Sequence, residues 1–258
     1  NIPVDKAESI GDYAFYGCRI LESTVLPETL TSIGESSFEN CTNLKNIEIN
    51  ADIPGIPRYC FYGCRELTKV SFGSEARTAK NTMKVIGAYA FAQCPTLEKM
   101  NLSDFHNLSQ IGEGAFSCDG SLLNVKLPDS LQKINKDCFE FCNSLSIIQL
   151  NSEKVTQLGE TIFGENLLEY VNIWVKNSVL SDYAVAYKEV LDPEYGEGTT
   201  EKILGVVNDN VEVIKGVEFE ITDEGRILKH ASKNLSGKYT VPEDTIAIAD
   251  EAFMGCTK

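Results

Sequence analysis

A chain of 258 residues, 43% of them apolar and 24% charged, can bury a substantial core and has the composition of an ordinary globular protein. No apolar run approaches the roughly 18 residues that a membrane-spanning helix needs. A net charge of −15 with no basic stripe argues against nucleic acid and against anionic membrane surfaces as partners.

Along the chain one string keeps returning. It reads "SIGDYAFYGCRIL", "SIGESSFENCTNL", "GIPRYCFYGCREL", "VIGAYAFAQCPTL", "QIGEGAFSCDGSL", "KINKDCFEFCNSL" and "QLGETIFGENLL", then once more as "AIADEAFMGC" near the end. Its anchors are Phe15, Phe38, Phe61, Phe91, Phe116, Phe139, Phe163 and Phe253, and the first seven are 23, 23, 30, 25, 23 and 24 residues apart. A period of about 23 lies in the range of leucine-rich repeats.

Five residues before each anchor stands an aliphatic (Ile10, Ile33, Ile56, Ile86, Ile111, Ile134, Leu158, Ile248), and six residues after it a leucine (Leu21, Leu44, Leu67, Leu97, Leu122, Leu145). Alternating apolar pairs follow: Ile47/Ile49, Val70/Phe72, Met100/Leu102, Val125/Leu127, Ile148/Leu150 and Val171/Ile173. Period-two alternation predicts a half-buried strand. The stretch from aliphatic to anchor is too short for a long helix and predicts one helical turn. Glycine usually follows the aliphatic, but Pro57 takes that place in the third repeat, so the position has negative φ. One such repeat cannot bury its own core; stacking them makes an α/β solenoid with a parallel sheet.

The step to Phe91 is long because of an insertion at about residues 73–83, "GSEARTAKNTM". After Ile173 the pattern stops. Residues 181–191, "SDYAVAYKEVL", predict a helix with Ser181 or Asp182 as its cap, covering the end of the array. Residues 192–201 predict a loop. Between Glu189 and Glu224 eleven acids face only Lys202 and Lys215, a local charge of −9 that reads as a solvated surface. "VEFEITDEGRILKHA" predicts a hairpin. The repeat restarts at Tyr239, and the chain is expected to continue beyond Lys258. The expected organisation is therefore a capped repeat array (1–191), an acidic linker with a hairpin (192–238) and the start of a further repeat (239–258).

These residues resemble the BspA-like, or Treponema-type, leucine-rich repeats. Leu26-Pro27, Leu127-Pro128 and Val241-Pro242 match that class's strand-end proline, and Ala14-Phe15, Ala90-Phe91, Ala115-Phe116 and Ala252-Phe253 match its Ala-Phe pair. The resemblance covers about 1–173 and 239–258. It implies an exported or cell-surface protein, bacterial or protist, that takes part in adhesion.

Nine cysteines invite a reading as disulfides or as a reactive site. Cys18, Cys41, Cys64, Cys94, Cys142 and Cys256 all fall three residues after the anchor, in a slot that Asp119 and Asn166 also occupy. Cys60 and Cys138 stand where other repeats have alanine. Both are small core positions, where cysteine acts as a small hydrophobe; Cys118, one place early, is the exception. No CxxC pair occurs and only His106 and His230 are available, so neither a zinc site nor a cofactor nor Cys/Ser catalysis is expected.

Binding remains. Residues alternating with the buried strand positions face outward: Asn46/Glu48, Lys69/Ser71, Lys99/Asn101, Asn124/Lys126, Ile147/Gln149 and Tyr170/Asn172, with Trp174 beyond them. Of these, Lys69, Lys99, Asn101, Lys126, Gln149, Tyr170 and Asn172 are the candidate site for an extracellular protein or glycan. The alternative is a plain solvated face on a spacer that presents other domains.

Overall fold

The computed structural model describes residues 6–73, 82–164, 171–200, 204–206, 211–214, 217–222, 224–231, 239–254 and 256. The chain divides into two compact units, Asn1–Gly205 and Val206–Lys258.

In the first unit the chain winds as a coil of short parallel strands. In chain order these are β1 (Ser9–Ile10), β2 (Ser23–Leu26), β3 (Ser32–Ile33), β4 (Asn46–Ile49), β5 (Gly55–Ile56), β6 (Lys69–Phe72) and β7 (Val85–Ile86). They continue as β8 (Lys99–Asn101), β9 (Gln110–Ile111), β10 (Asn124–Leu127), β11 (Lys133–Ile134), β12 (Ile147–Leu150), β13 (Gln157–Leu158), β14 (Asn172–Val175) and β15 (Leu204–Val206). The even-numbered strands build the wide sheet in two pieces, β2-β4-β6 and β8-β10-β12-β14, with β15 beside β14. The short strands build a narrow one, β1-β3 and β5-β7-β9-β11-β13. The alternation of outward and buried residues is clearest in β4, which exposes Asn46 and Glu48 and buries Ile47 and Ile49.

The third wall differs from the helical turn expected there. It is a run of tight turns in which alternate N–H groups reach the next repeat. Tyr13, Phe15 and Gly17 donate to the carbonyls of Glu35, Ser37 and Glu39, and Ser36, Phe38 and Asn40 to those of Arg58, Cys60 and Tyr62, at 2.7–3.1 Å. Left-handed residues flank each anchor, among them Tyr13, Ser36, Tyr59, Tyr89 and Asp137 with φ of 53–58°. A continuous helix would turn those N–H groups along its own axis; the left-handed kinks aim them at the neighbour instead. The glycine after the aliphatic does have negative φ, as Pro57 implied. Its small size serves close stacking: a Cβ on Gly112 would lie 2.5 Å from Ala88 N.

Inside these walls the anchors form a ladder. Consecutive rings from Phe15 to Phe139 lie 5.0–5.7 Å apart and within 15° of parallel. Ile56, Phe61, Leu67, Ile86, Phe91, Leu97, Ile111, Phe116 and Leu122 are fully buried beside one another. No turn has a closed core of its own; burial comes from the neighbours.

The array ends under helix α1 (Leu180–Tyr195). It is four residues longer than expected at its C-terminus, taking Asp192, Pro193, Glu194 and Tyr195 out of the expected loop. Neither Ser181 nor Asp182 caps it: the N-cap is Val179, with no side-chain capping bond. Its buried face is Tyr183, Tyr187 and Leu191, at i, i+4, i+8.

The second unit is a small mixed sheet of β16 (Val211–Ile214), β17 (Val217–Thr222), β18 (Gly225–Ala231) and β19 (Thr245–Ile248). β16-β17-β18 are antiparallel, so the expected hairpin is present with an extra strand before it, and β19 joins β18 in parallel. Val217, Phe219, Leu228, Ala231 and Ala252 make its core. Repeat logic assigned Ile248 and Phe253 to a core, but they are 55% and 37% exposed. Among the described residues no further turn stacks on β19 to cover them.

Candidate functional site

The outward residues of the wide sheet stand in two rows set by the strand register. One row runs Ser23, Asn46, Lys69 in the first piece and Lys99, Asn124, Ile147, Asn172 in the second. The other runs Val25, Glu48, Ser71 and then Asn101, Lys126, Gln149, Trp174. The structure thus brings Lys69, Lys99, Asn101, Lys126, Gln149 and Asn172 onto one face, with Tyr170 outside the described residues. Lys69, Lys99, Asn101 and Lys126 are exposed; Gln149 and Asn172 are half-buried. One position differs from expectation: Ile147, read as outward, is only 7% exposed. At the last strand Asn172 pairs with Ile147 and Trp174 with Gln149. Trp174 therefore lies on the face, half-buried beside Gly205, where an added Cβ would come within 3.1 Å of the indole.

Between β6 and β8 the wide sheet is unpaired, while the narrow sheet runs on through β5 and β7. The 30-residue step between Phe61 and Phe91 falls at this break. The result is an open cleft of about 550 Å³ lined by Thr68, Lys69, Val70, Ser71, Phe72, Glu98, Lys99, Asn101 and Asp104. Val70 and Phe72, whose counterparts Ile47 and Ile49 are buried, are half-exposed in it. Phe72 meets Phe105 edge-on at 4.7 Å. Sequence reasoning had the irregular step in hand but no means of knowing which wall would open.

The thiols have no such role. None of the nine cysteines forms a disulfide, and Cys41, Cys60, Cys64, Cys94, Cys138 and Cys142 are buried. In the recurring slot, Cys41, Cys64, Cys94 and Cys142 donate to the anchor carbonyls of the preceding repeat (Phe15, Phe38, Phe61 and Phe116) at 2.9–3.3 Å. The slot thus suits a small apolar group carrying one weak donor. Burial pushes the thiol of Cys41 up to about 11 and that of Cys60 to about 12, which suppresses the nucleophilic thiolate. With a maleimide on the native protein, Cys18, Cys118 and Cys256 are expected to label first. The six buried thiols should label only at the rate of unfolding, read by peptide mass spectrometry; fast labelling of Cys41 would break the core assignment.

Asp119 takes the slot between Cys94 and Cys142. It is fully buried, its Oδ1 accepts the Cys94 N–H at 2.8 Å, and its Oδ2 has no hydrogen-bond partner among the described residues. Desolvation raises its pKa well above the usual carboxylate range. In the unfolded chain the carboxyl loses its proton above about pH 4. The folded state keeps it, so it holds more protons over that window and stability falls as pH rises through it. Asp119→Asn should remove this contribution. Urea titrations at pH 4 and pH 8 are expected to show a shallower decline in the variant than in the parent; equal declines would refute a buried neutral acid.

Among the described residues no cluster of three or more His, Cys, Asp or Glu side chains is placed to hold a metal. His106 pairs with Asp129 at 3.1 Å on the exposed surface. No helix of the described residues is long and apolar enough to cross a membrane.

The sequence model described as "BspA type Leucine rich repeat region" matches residues 1–83 and 74–191, in six copies. Among solved structures, a leucine-rich repeat protein from Bacteroides ovatus is 31% identical, with 58% of this chain and 39% of that one covered and a TM-score of 0.48. A leucine rich repeat protein from T. pallidum is 22% identical over 73% of this chain and 89% of its own, with a TM-score of 0.49. A leucine rich cell surface protein from Faecalibacterium prausnitzii is 17% identical over 91% and 61%, with a TM-score of 0.44. The chain thus spans well under half the length of the Bacteroides protein. No curated protein matches it.

Proposed function

The chain belongs to the BspA type leucine-rich repeat family, and on that premise we propose that it is a non-enzymatic cell-surface or secreted protein binding an extracellular protein or glycan. The binding surface is the outward face of the wide sheet, through Lys69, Lys99, Asn101, Lys126, Gln149 and Asn172. One observation carries this reading. Strand after strand presents polar side chains in fixed register that the core does not use. A rigid sheet holds such groups without the ordering cost that a loop would incur on binding. The outward side chains of the wide strands include Lys69, Lys99 and Lys126 with Glu48, and Glu98 and Asp104 stand beside the first two lysines, so the face offers both donors and acceptors. The burial of the recurring cysteines supports a non-enzymatic role.

The test is a binding screen of the whole chain against immobilised extracellular-matrix proteins and glycans. A triple variant, Lys126→Ala, Gln149→Ala and Asn172→Ala, is run beside it with its melting temperature as a folding control. Saturable binding that the variant loses supports the reading. Binding that survives moves the site off this face, and no saturable binding at all leaves the spacer role.

A further inference from the structure

We infer that the cleft between β6 and β8 binds a neutral hexopyranose unit of a polysaccharide. The inference rests on the sheet-face reading and names the ligand class for one part of that face.

The cleft exists because the wide sheet loses its backbone pairing at one step. A volume of about 550 Å³ is in the range of small-ligand sites. Its floor is apolar: Val70 and Phe72 are half-exposed here, and the edge-on contact with Phe105 fixes the Phe72 ring. An aromatic face carries negative potential and attracts the weakly positive C–H groups that a pyranose presents on its less polar side.

The rim supplies both signs. Lys69 and Lys99 are donors, Glu98 and Asp104 acceptors, so the cleft carries no net formal charge. Neither lysine has an ion pair among the described residues, so desolvating them breaks no salt bridge there. Asn101 is pre-oriented: its Oδ1 accepts the Ser103 hydroxyl at 2.7 Å and the Ser103 N–H at 3.1 Å. That holds the amide plane and leaves its NH2 as the group that donates.

Each sugar hydroxyl both donates and accepts, so a rim of ammonium, amide and carboxylate groups satisfies it from both sides. A polyanion would meet Glu98 and Asp104, and like-charge contact disfavours it. A protein partner needs an apolar interface core and upwards of about 1,000 Å² of buried surface, whereas the apolar lining of this cleft is Val70 and Phe72.

The experiment is a titration of the whole chain with oligosaccharides from dextran, mannan and galactan, with polygalacturonate and polyglutamate as acidic probes. Saturable binding to at least one neutral oligosaccharide is expected, changing less than about twofold between 50 and 500 mM salt. Lys99→Ala with Asn101→Ala should weaken it by about tenfold or more; both side chains are exposed, and an unchanged melting temperature confirms the fold. Lys133→Ala, an exposed side chain of the narrow sheet, should leave it intact. Preference for polygalacturonate with a steep salt dependence, or for polyglutamate, would overturn the assignment to a neutral sugar. So would neutral-sugar binding that Lys99→Ala with Asn101→Ala leaves unchanged. If no neutral sugar binds while the Lys126/Gln149/Asn172 variant still loses another ligand, this inference falls and the sheet-face reading stands. If neither variant affects any ligand, both fall.

Discussion

Replacing Phe91 with alanine is expected to lower the unfolding free energy by about 3–5 kcal/mol, the usual cost of deleting a buried aromatic ring. Phe91 is fully buried, between Phe61 at 5.2 Å and Phe116 at 5.6 Å, nearly parallel to both. The change removes two ring–ring contacts and leaves a cavity that the turn ladder keeps from closing. On either side of it, Phe61 and Phe91 donate their N–H groups to the carbonyls of Ala90 and Ala115, which holds the repeat spacing. Phe15→Ala is the internal comparison. Phe15 is only partly buried and stacks on a single ring, Phe38, so it should cost clearly less. Urea denaturation followed by far-UV circular dichroism reads both. Equal costs would mean that the ladder is not the element coupling one repeat to the next.

The second large effect is expected at α1. Its tyrosines do for the last turn what a further repeat does elsewhere. Tyr183 Oη accepts the Thr156 N–H at 3.1 Å and donates to the Lys154 carbonyl at 2.9 Å. Tyr187 Oη donates to the Thr156 carbonyl at 2.9 Å. Both tyrosines and Thr156 are buried. Phenylalanine at these two positions keeps the packing but leaves buried backbone groups unpaired, at about 1–3 kcal/mol for each hydroxyl removed. The double variant Tyr183→Phe, Tyr187→Phe should therefore lose about 2–6 kcal/mol of stability. Hydrogen exchange should open first at Thr156 and then along β13. A loss under about 0.5 kcal/mol, in the range of an ordinary surface change, would mean that water replaces the hydroxyls and that the cap works by apolar burial alone.

Much of this architecture was legible because a solenoid writes its core periodically. The aliphatic, the anchor, the small slot and the leucine each recur, and a residue type that recurs at one structural position is explained by packing before chemistry. The same reasoning removed Cys41 from consideration as a nucleophile, and its thiol is found donating to the Phe15 carbonyl. The turn wall was not legible. Left-handed backbone at Tyr13, Tyr59 and Tyr89 has no sequence signal when the residue is tyrosine, because the conformation is imposed by hydrogen bonds to the next repeat. The tyrosine cap was only partly legible: residues 181–191 read as a covering helix, but which carbonyls its hydroxyls meet depends on how the last turn is placed.

The candidate site divides in the same way. Alternation along each strand determined that Lys69, Lys99, Lys126, Gln149 and Asn172 face outward, since side chains on a pleated strand point to opposite faces by turns. Alternation is a property of one strand alone, and it misread Ile147, which holds an outward place in the register yet is buried by its surroundings. Whether two strands pair is a long-range event, decided by the length of chain between them and by what that chain folds against. Periodicity by itself determined the solenoid, its buried ladder and the outward rows. Tertiary structure alone decided that the wide sheet opens between β6 and β8, exposing Phe72 among charged groups, because a local pattern cannot encode a hydrogen bond that fails to form across 30 residues.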